Sequence, residues 1–274
     1  MIQHYQTNGL WVVDIPAAAR FEIVPLNGKT QALFQTLRAP AAQINGSLFH
    51  NASSPIGTVI YDGVLAHDAS SGYGFGVGRD GPDFGGPWSK AWRGYVSGYP
   101  GLIQNGRRMP QSISDPKVFN TPTRRSAVAR KGERIFFIAS AGNLTLNAFV
   151  DRLLALGMTE AVNLDGGGSS QLYAGGKCLN RPTDNRKIAN VIAVWEGDGA
   201  ETQNKEDVKL RAIATKKQPV YTASGAVEPG RYIDKGDACE VGSITQNLLI
   251  PVTYPTGSGP RGAYVRSLEG FTRG

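Results

Sequence analysis

The run Asn163-Leu164-Asp165-Gly166-Gly167-Gly168-Ser169-Ser170 gathers residue types that can hold an anion and move a proton. Three consecutive glycines are more than a turn needs. Backbone without side chains can turn its N–H groups into a concave nest for phosphate oxygens, and Ser169 and Ser170 add hydroxyl donors. Asp165 at the head of the run would face such a pocket as acid, base or ligand-holding group. Asn163 lies two residues back, on the same face of an extended strand. The same residues also fit a glycine-rich bend in which the aspartate only fixes the turn. The pattern is not GxSxG, GxxxxGK[ST] or GxGxxG, so a nucleophile elbow, a P-loop and a dinucleotide fingerprint are all unsupported.

Few other residues compete for that chemistry. Of three histidines, His4 lies near the terminus and His67 in a loop, while His50 follows the polar turn Asn45-Gly46-Ser47 and reads as solvent-facing. Cys178 and Cys239, the only cysteines, lack CxxC or histidine partner spacing, which argues against a disulfide framework or a zinc site. No acidic cluster has metal-ligand spacing. No metal site and no cofactor are expected, with a divalent cation such as calcium at Asp165 left open. The net charge of +7 is spread along the chain in basic pairs such as Arg107-Arg108 and Arg124-Arg125. That excludes a nucleic-acid tract but favours anionic ligands.

The elements around the run set its position. Ile135–Ala139 is an apolar strand; Leu146, Phe149, Val150, Leu153 and Leu154 follow helical spacing, with Thr145 as N-cap and Gly157 just past the end; Ala161–Leu164 is a second strand. Strand, helix and strand over about 30 residues predict a βαβ unit with parallel strands, and ligands then lie beyond the strands' carboxyl ends. The glycine run begins at that end. Elsewhere Leu10–Ile15, Phe21–Val24, Ala41–Asn45 and Thr58–Tyr61 read as short strands, Thr30–Leu37 as one helix, and the glycine-rich residues 68–101 as a long ordered loop or irregular hairpins. Glycine is in excess, 35 of 274 residues, without a Gly-X-Y period, so collagen is excluded.

Several segments taken together resemble one family. Ala161–Ser170 (AVNLDGGGSS) is similar to the signature of the phosphodiester glycosidases. Ala42–Phe49, Tyr95–Gly106, Thr123–Ala129 and Arg186–Trp195 resemble further segments of that family in the same order. The resemblance spans about residues 10–195. It implies hydrolysis of the bond between a sugar's anomeric carbon and a phosphate oxygen. It also implies Asp165 as base or nucleophile, with Asn163 and Arg125 completing the catalytic group. Gly166, Gly167, Gly168 and Ser169 with Arg125 would clamp the phosphate. Asn45 and Asn163 would hold sugar or phosphate oxygens, and Gly46, Ser170, Arg186 and Asn190 would complete the substrate site. A phosphate leaves readily, so a second carboxylate as general acid is less needed than in most glycosidases.

The domain reading follows. Residues 1–197 are expected to form an α+β domain, a mixed α/β sheet with the βαβ unit. Residues 198–207, within the polar stretch Glu196–Asp207, form a linker. Residues 208–274 form a small all-β barrel that resembles bacterial SH3-like domains. Partners would be a sugar phosphodiester or a cell-wall glycopolymer, not nucleic acid, and oligomeric state is not legible. No secretory signal and no membrane-spanning run are seen, so a cytoplasmic or phage-associated protein acting at the bacterial surface is expected. A non-catalytic carbohydrate- or wall-binding structural protein is the competing reading.

Overall fold

The computed structural model describes residues 1–26, 29–51, 54–68, 72–87, 89–110, 120–180, 186–198, 210–241, 250–265 and 271–273. Among these residues strands dominate, every strand pairing is antiparallel, and there are two α-helices, Gln31–Arg38 and Leu146–Ala155. Among the described residues no helix is long and apolar enough to cross a membrane.

The expected mixed α/β sheet with a βαβ unit is not what forms. Arg134–Ser140 and Glu160–Asn163 do flank the helix Leu146–Ala155, but Ser126–Lys131 lies between them and pairs antiparallel with both. The two strands therefore run in the same direction without touching. Local periodicity carries strand, helix and direction; it does not carry which distant segment fills the gap.

Three sheets build the main core. The first, of seven strands, has the order Gln3–Thr7, Leu10–Pro16, Arg134–Ser140, Ser126–Lys131, Glu160–Asn163, Gly101–Gln104, Arg107–Arg108. The second orders Gly81–Gly85, Gly74–Gly78, Trp92–Ser97, Val59–Tyr61, Val64–His67, and the third Lys177–Asn180, Leu172–Ala174, Ala42–Asn45, Asn190–Asp198, Ala19–Pro25. One cluster joins all three: Val13 and Phe137 from the first sheet, Phe75 and Val96 from the second, Ile44 and Ile192 from the third. The first sheet is covered on its other face by the helix Leu146–Ala155, whose Leu146, Phe149, Val150 and Leu153 pack on Val12, Ala127, Ala129 and Ala161. Thr145 caps this helix by accepting from the Ala148 N–H, and Gly157 follows its last turn at φ 78°.

Of the two readings of the glycine-rich stretch, hairpins are what its described residues form. Gly74–Gly78 and Gly81–Gly85 pair as a hairpin, and the missing side chain of Gly76 leaves the space that the Trp92 ring fills. At Asp62-Gly63 both residues have positive φ (47° and 76°), the turn that joins Val59–Tyr61 to Val64–His67 and fixes where Tyr61 ends. Described residues between 210 and 273 form a separate seven-stranded antiparallel sheet over their own cluster, which includes Val220, Ile233, Val241 and Val252.

Candidate active site

The end of a first-sheet strand and the end of a third-sheet strand meet at Asp165. The chain leaves Glu160–Asn163 and crosses to the third sheet: the Asp165 N–H donates to the Gly46 carbonyl (3.0 Å), and its carbonyl accepts from Asn45 Nδ2 (2.6 Å). Asn45 Oδ1 accepts from the Gln171 N–H (3.1 Å), so one buried amide pins both sides of the glycine run. The Gly46 N–H donates to the Asn190 carbonyl (3.0 Å). A Cβ on Gly46 would overlap Asn190 Oδ1, so glycine is what lets these two segments meet.

The Asp165 carboxyl is largely buried, and that burial raises its pKa above the ordinary aspartate value. Three groups pull the other way without cancelling it: the Ser169 hydroxyl, the Gly166 N–H at 2.9 Å from Oδ1, and the positive field of Arg186. Ser169 Oγ is buried close to the carboxyl without reaching good hydrogen-bond geometry. Arg186 is exposed, and its guanidinium lies over Gly168, where a Cβ would sit 2.6 Å from Nη2. Gly168 thus lets the cation approach the carboxyl.

The nest is smaller than expected. The Gly166 N–H goes to its neighbour's carboxyl, the Gly167 N–H to the Arg124 carbonyl (2.8 Å), and the Ser169 N–H to the Gly166 carbonyl (3.1 Å). Gly167 turns at φ 60°, and Gly167–Ser169 closes as a single 3₁₀ turn. Of the four N–H groups, only that of Gly168 has no partner among the described residues.

The remaining predicted residues divide. Asn163 is 4% exposed; it donates to the Tyr99 carbonyl through Nδ2 (2.7 Å), while its Oδ1 is buried without a partner. Alternation along the strand places it on the helix side of the first sheet with Ala161. Arg125 is also buried, donating from Nε to the Leu144 carbonyl (3.1 Å) and from Nη2 to the Thr121 carbonyl (2.9 Å). Burial lowers its pKa, and Arg186, not Arg125, is the cation whose field reaches Asp165. Asn45 and Asn190 spend their amides inside the protein, and Ser170 Oγ sits between Ser126 Oγ (2.8 Å) and Asn180 Nδ2 (3.0 Å). These residues position the site. His50 is exposed.

Sequence reading missed Ser47, Tyr61 and Asn180. Ser47 lies inside the marked segment Ala42–Phe49 without having been given a role, but Tyr61 meets Asn190 across 129 positions and only the sheet topology brings them together. Among the described residues no group of three or more His, Cys, Asp or Glu side chains is placed to hold a metal ion.

Signature, fold and the carboxyl at the junction agree on one class. A sequence model of the phosphodiester glycosidases matches residues 39–195, more than half of the chain, and the chain belongs to that family. In three dimensions it is similar to the zebrafish N-acetylglucosamine-1-phosphodiester alpha-N-acetylglucosaminidase catalytic domain auto-inhibited by its pro-peptide, with a TM-score of 0.60, 16% identity, and coverage of 72% of this chain and 82% of that one. It is also similar to a hypothetical protein from Synechocystis, with a TM-score of 0.59, 15% identity, and coverage of 70% and 61%. At these identities the likeness is one of fold. No curated protein matches the sequence.

Proposed function

We propose that this protein hydrolyses the bond between a sugar anomeric carbon and phosphate in a sugar-1-phosphodiester. The observation that carries the reading is the Asp165 carboxyl, desolvated yet within the positive field of Arg186, where the end of a first-sheet strand meets the end of a third-sheet strand. Asp165 takes a proton from water as the water oxygen attacks the anomeric carbon. The carbon–oxygen bond breaks with its electron pair on the phosphate oxygen, whose charge the Arg186 guanidinium and the Gly168 N–H receive. Free sugar and a phosphomonoester are the products. Direct attack by the carboxylate gives the same products through a glycosyl-enzyme, and the anomer released first distinguishes the two routes. The net charge of +7 suits an anionic substrate, and a bacterial cell-wall polymer linked through sugar-1-phosphate is the proposed source.

The test is release of free sugar from a panel of sugar-1-phosphodiesters by wild type and Asp165→Asn. Wild type is expected to turn over at least one, and the variant to lose activity by about 10²-fold or more. Because the base must be charged and burial raises its pKa, the acid limb of kcat/KM is expected above the ordinary aspartate range. Binding without turnover in wild type would reject the reaction in favour of a recognition module. Sugar phosphate as product would place the cut at the P–O bond instead, and unchanged turnover in Asp165→Asn would remove its role.

A further inference from the structure

Asn190 holds two hydroxyls at once. Its Oδ1 accepts from the Ser47 N–H (2.9 Å), which settles the orientation of the amide, and its NH2 group then donates to Ser47 Oγ (2.8 Å) and to Tyr61 Oη (2.9 Å). Both amide protons are thereby spent, and both hydroxyl oxygens act as acceptors. The proton on each hydroxyl must go elsewhere. Among the described residues neither finds an acceptor. Ser47 is 2% exposed and Tyr61 is half-buried, so these are not side chains whose hydroxyls simply face bulk water. An O–H left unpaired in such a place costs stability, which is a reason to look for what completes it.

Their position is that of the candidate active site. Ser47 follows Gly46, the residue whose carbonyl holds the Asp165 N–H, and Asn190 holds the Gly46 N–H through its own carbonyl. Tyr61 arrives from the second sheet, at the end of Val59–Tyr61, fixed by the Asp62-Gly63 turn. Burial pushes the Tyr61 phenol up to about 12, with Asn190 pulling the other way, so it keeps its proton at neutral pH.

We propose that Ser47 Oγ and Tyr61 Oη, oriented by the Asn190 amide, form a paired donor site for a phosphoryl oxygen of the substrate. A phosphoryl oxygen accepts without bringing a proton, which is what two donors held as acceptors from behind require; a sugar hydroxyl would bring a further proton to place. The pair would then face the phosphate from the side of Gly46, with Arg186 and the Gly168 N–H as its other partners. This inference rests on the reaction proposed above.

The test uses the full chain and compares an ordinary sugar-1-phosphodiester with its two phosphorothioate diastereomers, in wild type, Tyr61→Phe and Ser47→Ala. Sulfur is a poor acceptor, so wild type is expected to handle one diastereomer about 10-fold or more worse than the other. Each variant is expected to turn over the oxygen diester about 10- to 100-fold more slowly and to lose most of that discrimination. A loss of packing alone would slow the variants while leaving the preference between diastereomers as in wild type, and that result would overturn the proposal, as would unchanged kinetics. If wild type releases no sugar from any diester, the proposed reaction fails, and the same comparison is made on dissociation constants. Loss of the oxygen-over-sulfur preference in Tyr61→Phe would then uphold the donor pair, and its retention would reject it.

Discussion

Two glycines at the site look alike in the sequence and behave differently in the structure. Gly46 faces Asn190, which is buried and held by three hydrogen bonds through its side chain, so nothing there can yield to a Cβ. Gly168 faces the end of the exposed Arg186 side chain, which can swing aside. Gly46→Ala is expected to destabilise the fold by about 1–3 kcal/mol, as overpacking does, and to remove activity with it because Gly46 also holds the Asp165 N–H. Gly168→Ala is expected to leave thermal stability within about 0.5 kcal/mol of wild type while raising KM for a diester, since only the position of the guanidinium changes. Thermal unfolding and steady-state kinetics on both variants check this. Equal loss of stability in the two would mean that Arg186 is as fixed as Asn190. At this scale the sequence was a good guide to which residues gather and a poorer one to what they do. Asp165, Gly46, Gly168, Arg186 and Asn190 meet, yet the amides of Asn45 and Asn190 are consumed within the fold. A side chain's type is visible in a sequence; whether its hydrogen bonds are already taken depends on partners more than a hundred positions away.

At the scale of elements, local signals were read correctly wherever they were sufficient. Thr145 and Gly157 bracket a helix because a cap and a left-handed glycine act within one turn, and the apolar stripe from Leu146 to Leu153 faces the first sheet as its spacing requires. The pairing of strands was misread because it is not local. Ser126–Lys131 enters between the two strands that flank the helix, and no feature of the segment 134–165 announces it. The glycine-rich stretch stayed open between loop and hairpins in the sequence for a related reason: Gly76 carries no side chain to alternate, and its role is to admit Trp92. The helix covers the face of the sheet toward which Asn163 points, so its packing bears on the site. Phe149, fully buried beneath it, is expected to cost about 3–5 kcal/mol on replacement by alanine, and loss of the Thr145 cap about 1 kcal/mol. Chemical denaturation of the two variants measures both. A Phe149→Ala cost no larger than that of Thr145→Ala would mean that the helix is not anchored through this face.

At the scale of the molecule, the chemistry and the remaining sheet occupy different parts of the chain. The family match ends at residue 195, and the residues gathered at Asp165 lie at strand ends of sheets that share one core. The strands between Leu210 and Arg273 pack on a cluster that has no residue in common with that core. Each set of sheets therefore buries its own apolar surface, which is the physical requirement for a unit that folds alone. We accordingly expect a chain ending at residue 198 to fold and to hydrolyse a small soluble sugar-1-phosphodiester with kcat within about twofold of the full chain, a change of roughly 0.4 kcal/mol in barrier height. If the sheet formed between Leu210 and Arg273 serves to hold an insoluble wall polymer, removing it lowers the rate on that polymer far more than on the soluble diester, because tethering raises local substrate concentration without altering the chemical step. The measurement is the ratio of the two rates in the full and shortened chains. A shortened chain that folds but loses the soluble reaction as well would assign residues 199–274 a part in the site itself.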